Sequence, residues 1–556
     1  MMLQFADLFT GIAGAFGSDL ALVHGETSLT WAEFSEQAHR FASYLSAMGV
    51  GPGDRVGLLL YNSPEYLIAQ FGVFLRRAVP VNINYRYVDN ELVYLCNDSG
   101  VKVVISHASL ASRMGRIRKL VPTVQSLVVV ADADDPDPYE LDRRDSTWLD
   151  SLFTYDTNAP LAGSEDDIYM LYTGGTTGMP KGVMFRMGDF VQRMFTGYVY
   201  RGWNPPTAET LLSTIASHRA AGDRRVSIPA CPLMHGTGMW LGAFYAHLMG
   251  GTVITLPGRS FRAAQLWATA VREQADSITI VGDAFARPML DELNAAAHDG
   301  RPYSLGALRI IQSSGVMWSA EVQDGLLRHL DVRLVDSMGS TEGGMAKRVV
   351  TRGTPIATAR FEALPGTKLI AADGSVVRRG DTTPGRVAAS AVVPLGYFND
   401  PVKSSTTFVE IEGVRHAMAG DWATWVDETS FVLLGRGSNC INTAGEKVFP
   451  EEVEEAIKRL PEVADCLVVG LADARLGQSV AAVVSLRPFE GKPAESQRAE
   501  SQRAGDIVAS LRKSLAGYKV PRLLHVVDEV RRGANGKADY VWAAEELARV
   551  ATISST

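Results

Sequence analysis

The run Ile168-Tyr-Met-Leu-Tyr172 passes straight into Thr173-Gly-Gly-Thr-Thr-Gly-Met-Pro-Lys-Gly182, and this junction decides the fold. A short apolar run bounded by turn residues reads as a buried strand. The residues after it are glycines, hydroxyls and one lysine. Glycines allow positive φ and close backbone approach, so successive N–H groups form an anion-binding concavity, to which threonine hydroxyls and Lys181 add donors and charge. Ligands of open α/β sheets collect at the carboxyl ends of strands, where this loop sits. It is not a P-loop, because Met179 and Pro180 precede Lys181 and Gly182 follows it, where a P-loop has Ser or Thr. Alone, a Gly/Thr-rich turn serves structure as readily as polyphosphate.

Outward from the junction the same pattern repeats. Val56 to Leu60, Val79 to Val81, Val101 to Ile105 and Leu127 to Val130 precede it, and Ile278 to Val281, Leu308 to Ile311 and Val332 to Val335 follow. Helix-like stretches lie between these runs, so the class is α/β, built of βα units with mostly parallel sheet. The near-apolar run Met239 to Leu256 contains His247 and three glycines, and reads as a buried helix followed by a strand rather than a membrane span. Asp132 to Asp145 reads as a solvated acidic loop. A boundary falls near Gly435 to Asn439. Beyond it come a helix over Glu451 to Leu460 and strands at Cys466 to Val469 and Ala481 to Leu486. The tandem AESQR at Ala494 to Arg503 reads as an exposed linker.

With 556 residues, 46% hydrophobic and 21% charged, the chain has material for more than one core and is neither disordered nor collagen-like. A net charge of -8 has the wrong sign for gripping a nucleic-acid backbone over a wide surface. Cys96, Cys231, Cys440 and Cys466 form no C-x-x-C, which argues for a reducing compartment, the cytoplasm, over zinc or a disulfide framework. Met1 to Gly17 lacks the basic start of a signal peptide.

Several motifs then stand in one order: Leu29-Thr-Trp-Ala-Glu-Phe34, Gly51-Pro-Gly-Asp-Arg55, the Thr173 loop, Asp336-Ser-Met-Gly-Ser-Thr-Glu342, Ala419-Gly-Asp421 and Gly536-Lys537. Together they resemble the adenylate-forming enzymes, in particular the acyl-CoA synthetase branch, along almost the whole chain. The strings Thr173 to Met184 and Gly435 to Pro450 look most like actinobacterial fatty-acyl and sterol-side-chain CoA ligases. The resemblance implies a large N-terminal domain, 1–436, and a small mobile α+β C-terminal domain, 437–556, turning about a hinge at Ser438.

It also implies roles for particular residues. Thr173, Gly174, Gly175, Thr176, Thr177, Gly178 and Lys181 would hold the phosphates of ATP. Glu342 would hold Mg²⁺ and Thr341 a phosphate, although a Ser-Thr-Glu triplet alone reads as a helix cap. Gly315 and Val316, with Asp336, Ser337, Met338 and Gly339, would border adenine; Met338 stands where the family usually has an aromatic residue. Asp421 and Arg436 would pair acceptor and donor against the ribose diol. Lys537 would bind the α-phosphate and the acid carboxylate. His235, by itself an ordinary core histidine, would lie near that carboxylate, with Met239, Trp240 and Phe244 as candidate walls of an apolar pocket. Gly445, Glu446 and Lys447 would approach the thiol channel or the phosphates.

The implied reaction joins a carboxylic acid to coenzyme A at the expense of ATP. The absence of an acidic residue from Ser227 to Thr255 favours an acid without an α-amino group. An adenylating enzyme serving a carrier-protein thiol is the alternative, and a non-catalytic nucleotide-binding protein is the reading from another class. Peripheral membrane contact would suit an apolar acid, and nothing in the sequence speaks to the oligomeric state.

Overall fold

The computed structural model describes residues 2–132, 140–155, 161–174, 179–316, 318–356, 359–443, 446–473, 476–487, 503–512, 515–533 and 536–554. Part of the acidic stretch, the Gly/Thr-loop residues Gly175 to Gly178, Met317, Gly445 and the AESQR repeat up to residue 502 lie outside them.

Among the described residues, three larger sheets and a two-stranded one, Phe408–Ile411 with Val414–Ala417, make the large N-terminal part. The first has five strands, ordered Val79–Asn82, Arg55–Leu59, Val103–His107, Ser126–Val130 and Ser146–Thr147, all parallel. These are the Val- and Ile-rich runs of the sequence, and burial on both faces is what continuous apolar strands require. The second is a mixed sheet of 13 strands. One half is parallel: Leu20–His24, Thr252–Thr255, Val226–Pro229, Ser277–Ile280, Ile310–Ser314 and Arg333–Ser340. The other half continues antiparallel through Gly343–Val350, Arg360–Ala363, Ser430–Arg436 and Asp421–Trp425. The third has three antiparallel strands, Gly396–Tyr397, Lys181–Arg186 and Ile168–Thr173, and the last two form the hairpin that the Gly/Thr loop joins.

The Leu29 and Gly51 motifs prove to be local structure. Thr30 and Glu33 form a capping box at the start of helix Trp31–Ala47, with Thr30 Oγ1 accepting from Glu33 N at 3.2 Å and Glu33 Oε2 accepting from Thr30 N at 2.8 Å. Asp54 closes the Gly51 turn by accepting from Gly51 N, 2.9 Å, and pairs with Lys102.

A further sheet lies C-terminal to these. Its strands are ordered Glu446–Val448, Ile441–Thr443, Gly477–Leu486 and Val463–Asp473, with Leu523–Val527 parallel to Gly477–Leu486, and helix Pro450–Lys458 packs on it. It has its own apolar core, including Val453, Ile457, Val468 and Val484. The apolar run beginning at Met239 is helical, as its composition suggests, but its first part, Thr237–Phe244, is a π-helix; a short α-turn, Tyr245–His247, and the strand Thr252–Thr255 follow. Among the described residues no helix is long and apolar enough to cross a membrane.

One buried side chain ties the three larger N-terminal sheets together. Asn82, at the end of its parallel strand, donates Nδ2–H to the carbonyls of Tyr172 and Met234, both at 2.7 Å, while its Oδ1 accepts from Tyr172 N, also at 2.7 Å. Tyr172 belongs to the loop hairpin and Met234 follows a strand of the large sheet. Replacing Asn82 by Ala leaves three buried backbone groups unpaired, so chemical denaturation should report a loss of about 3 kcal/mol or more; a loss below about 1 kcal/mol, the scale of one ordinary hydrogen bond, would contradict this role.

Candidate functional site

The segment leading to His235 is held from two sides. Asn62 accepts from Leu233 N at 2.7 Å and donates to Cys231 O at 3.0 Å, and Asn82 fixes Met234. The chain then turns sharply: a Cβ at Gly238 would lie 2.4 Å from Pro232 O, so only glycine fits this approach. His235 is thereby placed with its Nε2 shielded from solvent and without a hydrogen-bond partner among the described residues. Burial first, then the charges of Lys537 and Arg86, push its pKa down to about 3.

Lys537 reaches this spot from the far end of the chain. Gly536, at φ 71°, packs directly onto the helix Gly282–His298, where a Cβ would come within 2.8 Å of Ala284 Cβ. The turn is closed by Gly533 N to Lys537 O, 2.8 Å, and braced by Arg532, which donates to Gly536 O at 3.2 Å and to both oxygens of Asp465. Lys537 is exposed, and its charge acts on His235. Arg487 pairs with Glu321 at 2.8 Å across the same contact between the C-terminal and N-terminal parts.

At the phosphate loop, Thr173 and Lys181 stand opposite each other in the hairpin, with Gly174 just beyond Thr173. Lys181 Nζ pairs with Asp400 at 2.7 Å and lies 5.3 Å from the ring centroid of Tyr397, whose hydroxyl donates to Glu342 Oε1 at 2.7 Å. Burial and the neighbouring carboxylate raise the Tyr397 pKa, so it stays a protonated donor. Thr341 and Glu342 form the half-buried tip between Arg333–Ser340 and Gly343–Val350, not a helix cap. Lys181, Asp400, Tyr397 and Glu342 thus form one polar chain.

The nucleotide candidates occupy neighbouring strand ends. Gly315 and Val316 follow Ile310–Ser314, which pairs in parallel with Arg333–Ser340, and Ser314 Oγ donates to Ser337 O at 2.7 Å. Met338 packs against the core cluster that holds Trp425 and Phe431, and the ladder shifts register between Met338 and Gly339. Asp336 turns inward: it is buried and paired with Arg348 at 2.9 Å, and burial raises its pKa to about 6. Its carboxylate is engaged inside the protein, so the side chain does not serve as the nucleotide contact that the sequence suggests. The backbones of Asp421 and Arg436 stand opposite each other across an antiparallel strand pair.

The chain matches the AMP-binding enzyme family over residues 10–377 and that family's C-terminal domain over 452–537. It belongs to the AMP-binding enzyme family. It is 37% identical over 554 residues to a medium/long-chain-fatty-acid–CoA/3-oxocholest-4-en-26-oate–CoA ligase of Mycolicibacterium smegmatis, covering 98% of this chain and 96% of the relative. It is 36% identical over 558 residues, with the same coverage, to a 3-oxocholest-4-en-26-oate–CoA ligase of Rhodococcus rhodochrous. Among solved structures, an anthranilate CoA ligase in complex with anthranoyl-AMP superposes with a TM-score of 0.80 at 21% identity, covering 99% of both chains. A fatty acyl CoA synthetase of Mycobacterium tuberculosis gives 0.66 at 22%, again covering 99% of both chains.

Enzymes of this AMP-binding family use ATP with Mg²⁺, and the donor set here suits that ion. Mg²⁺ is typically bound through one or two carboxylates together with substrate phosphates rather than in an all-protein cage. Among the described residues no group of three or more His, Cys, Asp or Glu could form such a cage, and Glu342 stands half-buried with its Oε1 oriented by Tyr397.

Several residues of this family member had no role assigned from sequence: Asn82, Tyr397, Asp400 and Arg86. The string Gly396-Tyr-Phe-Asn-Asp400 is the only signal that could have suggested two of them. Arg86, with Arg113 and Arg116, lines an open pocket of about 470 Å³. Of the candidate acyl walls, Met239 and Phe244 are core residues, Phe244 lying 4.3 Å from Phe5 between ring centroids. Trp240, also buried, donates from its indole N–H to Tyr169 Oη at 2.8 Å.

A histidine with a native pKa near 3 is neutral throughout the working range. Unfolded, the ring titrates near 6.5, so between those values the unfolded chain holds a proton that the native chain lacks, and acidification withdraws stability. His235→Asn should therefore lose less Tm between pH 7 and pH 5 than the parent in thermal melts; equal losses would contradict a neutral buried His235.

Proposed function

We propose that the chain activates a fatty or sterol-side-chain carboxylic acid with MgATP and transfers it to coenzyme A. A carboxylate oxygen attacks the α-phosphorus, pyrophosphate leaves, and an acyl-adenylate forms. The thiol sulfur then attacks the acyl carbonyl carbon, AMP leaves with the bonding pair, and the thiol proton passes to solvent. The observation that carries this reading is the packing of the Lys537 turn, through Gly536, onto the helix Gly282–His298, near enough for the Lys537 charge to act on His235.

In this reading Lys537 neutralises charge at the α-phosphate and the attacking carboxylate. A neutral His235 borders the carboxylate without competing for it as a cation. Glu342 holds Mg²⁺, which draws charge from the phosphate oxygens when bound. Thr341, Thr173, Gly174 and Lys181, with Gly175 to Gly178, cradle the phosphates, and Lys181 exchanges Asp400 for them. Asp421 and Arg436 take the ribose hydroxyls, while Gly315, Val316 and the strand from Asp336 to Gly339 border adenine. Arg86 and Arg113 offer cations to the phosphates of coenzyme A, while Arg116 in the same pocket is paired with Asp89.

The domains divide at 436/437, Ser438 is the hinge, and the segment with Gly445, Glu446 and Lys447 turns toward the thiol channel for the second step. Thiol transfer thus needs a rotation that withdraws Lys537. Four unpaired cysteines suit a cytoplasmic enzyme.

Incubation with MgATP, coenzyme A and a panel of fatty, aromatic and sterol-derived acids should give acyl-CoA, AMP and pyrophosphate by mass spectrometry. Adenylated acid without thioester would instead favour a carrier-protein acceptor, and no turnover of any acid would overturn the reading. Asp421→Ala should weaken ATP binding by calorimetry at least about tenfold, the loss of one charge-assisted hydrogen bond or more; unchanged affinity would remove Asp421 from the ribose site.

A further inference from the structure

Arginine carries five N–H donors, no acceptor and a permanent charge, so shielding one from water without a partner is costly. Elsewhere in this protein shielded arginines meet carboxylates: Arg225 and Arg201 meet Asp276, Arg348 meets Asp336, and Arg118 meets Asp145. Arg193, on helix Met187–Met194 directly after the phosphate-loop hairpin, departs from that pattern. Its Nη1 is shielded from solvent and has no hydrogen-bond partner among the described residues.

The surroundings of this guanidinium are specific. It lies 5.2 Å from the ring centroid of Trp240 and 5.9 Å from that of Phe185, contacts that favour a cation but accept no hydrogen bond in the ring plane. Its Nη2 is 3.8 Å from where a Cβ of Gly344 would stand, two residues beyond Glu342. Trp240 belongs to the π-helix that follows His235, a helix type frequent at functional sites. The group therefore sits between the element placed beside the acid carboxylate and the hairpin tip placed at the metal. Burial lowers its pKa, and Tyr200, Tyr245 and Glu342 act on it electrostatically. Aromatic walls on two sides make this the acyl side of the site rather than the polyphosphate side.

We propose that Arg193 is a specificity residue of the acyl site, donating from Nη1 to an oxygen acceptor, a carbonyl or hydroxyl, carried on the body of the acid. The inference rests on the acid-activation reading above. A plain alkanoic acid leaves the donor unpaired in a dry pocket, whereas an acid with oxygen at the right depth satisfies it. A site built around a buried donor discriminates against the ligand that cannot pair with it.

The test compares kcat/KM for dodecanoic acid with a series of the same chain length in which one keto or hydroxyl oxygen is walked along the chain. The parent enzyme should prefer one position, or two adjacent ones, over the plain acid by about 10-fold or more, the scale of one unpaired buried donor. In Arg193→Met that ratio should fall to within about twofold of unity, and Arg193→Lys should keep only part of it because the planar fork is lost. A flat series in the parent enzyme overturns the proposal without recourse to any variant. An unchanged ratio in Arg193→Met overturns it too, since a merely structural arginine would alter both acids alike. Failure to turn over any acid of the series or of the wider panel would instead overturn the acid-activation reading.

Discussion

A single carboxamide, that of Asn82, sets the geometry on which the rest of the structure depends. It sits where the three larger N-terminal sheets meet and uses both donors and its acceptor on backbone groups of two other segments. A carboxylate would face two carbonyls and repel them, and an apolar side chain would leave buried polar groups unmade. The phosphate-loop hairpin and the His235 segment are therefore fixed relative to each other by one residue, with Asn62 as a second brace on the latter. The N-terminal half of the site is rigid on this account. The cation it works with arrives on a separate turn.

Charge is distributed accordingly. Lys537 is surface-exposed on a turn braced by the Arg532–Asp465 pair, so a rigid body carries it even though its own side chain is solvated. His235, facing it, is held neutral. Lys181, paired with Asp400, is linked to Glu342 through Tyr397, which keeps the cation proposed for the phosphates and the carboxylate proposed for Mg²⁺ near each other without direct neutralisation. A site that gathers a carboxylate, a triphosphate and Mg²⁺ needs this arrangement, with cations presented at the mouth and fixed dipoles behind them.

The fold was legible where burial is symmetrical. Val79–Asn82 and Val103–His107 are covered on both faces, and their β-branched runs announce it. The antiparallel half of the large sheet was not, because strands such as Arg360–Ala363 are short and half-polar, and their place is set by partners far along the chain. The π-helix over Thr237–Phe244 was read only as helix, since no residue pattern separates the two. Of the residues that the proposed function uses, Lys181, Glu342 and Lys537 stand in motif strings. Asp336 stood in the same string, yet its carboxylate is held by Arg348, a partner no local pattern reveals. Asn82 and Arg193 were invisible for a related reason: one matters for what it bonds across three sheets, the other for a bond the described structure leaves open.

The central claim is a division of labour, in which Lys537 beside His235 serves adenylate formation and then departs. Single-turnover kinetics of Lys537→Ala, with each half-reaction followed separately, tests it most directly. Pyrophosphate release from ATP and acid should slow by about 10²-fold or more, the usual cost of one preorganised charge at a transition state. Attack of coenzyme A on supplied acyl-adenylate should proceed at close to the parent rate. Equal slowing of both half-reactions, or of neither, would contradict the account.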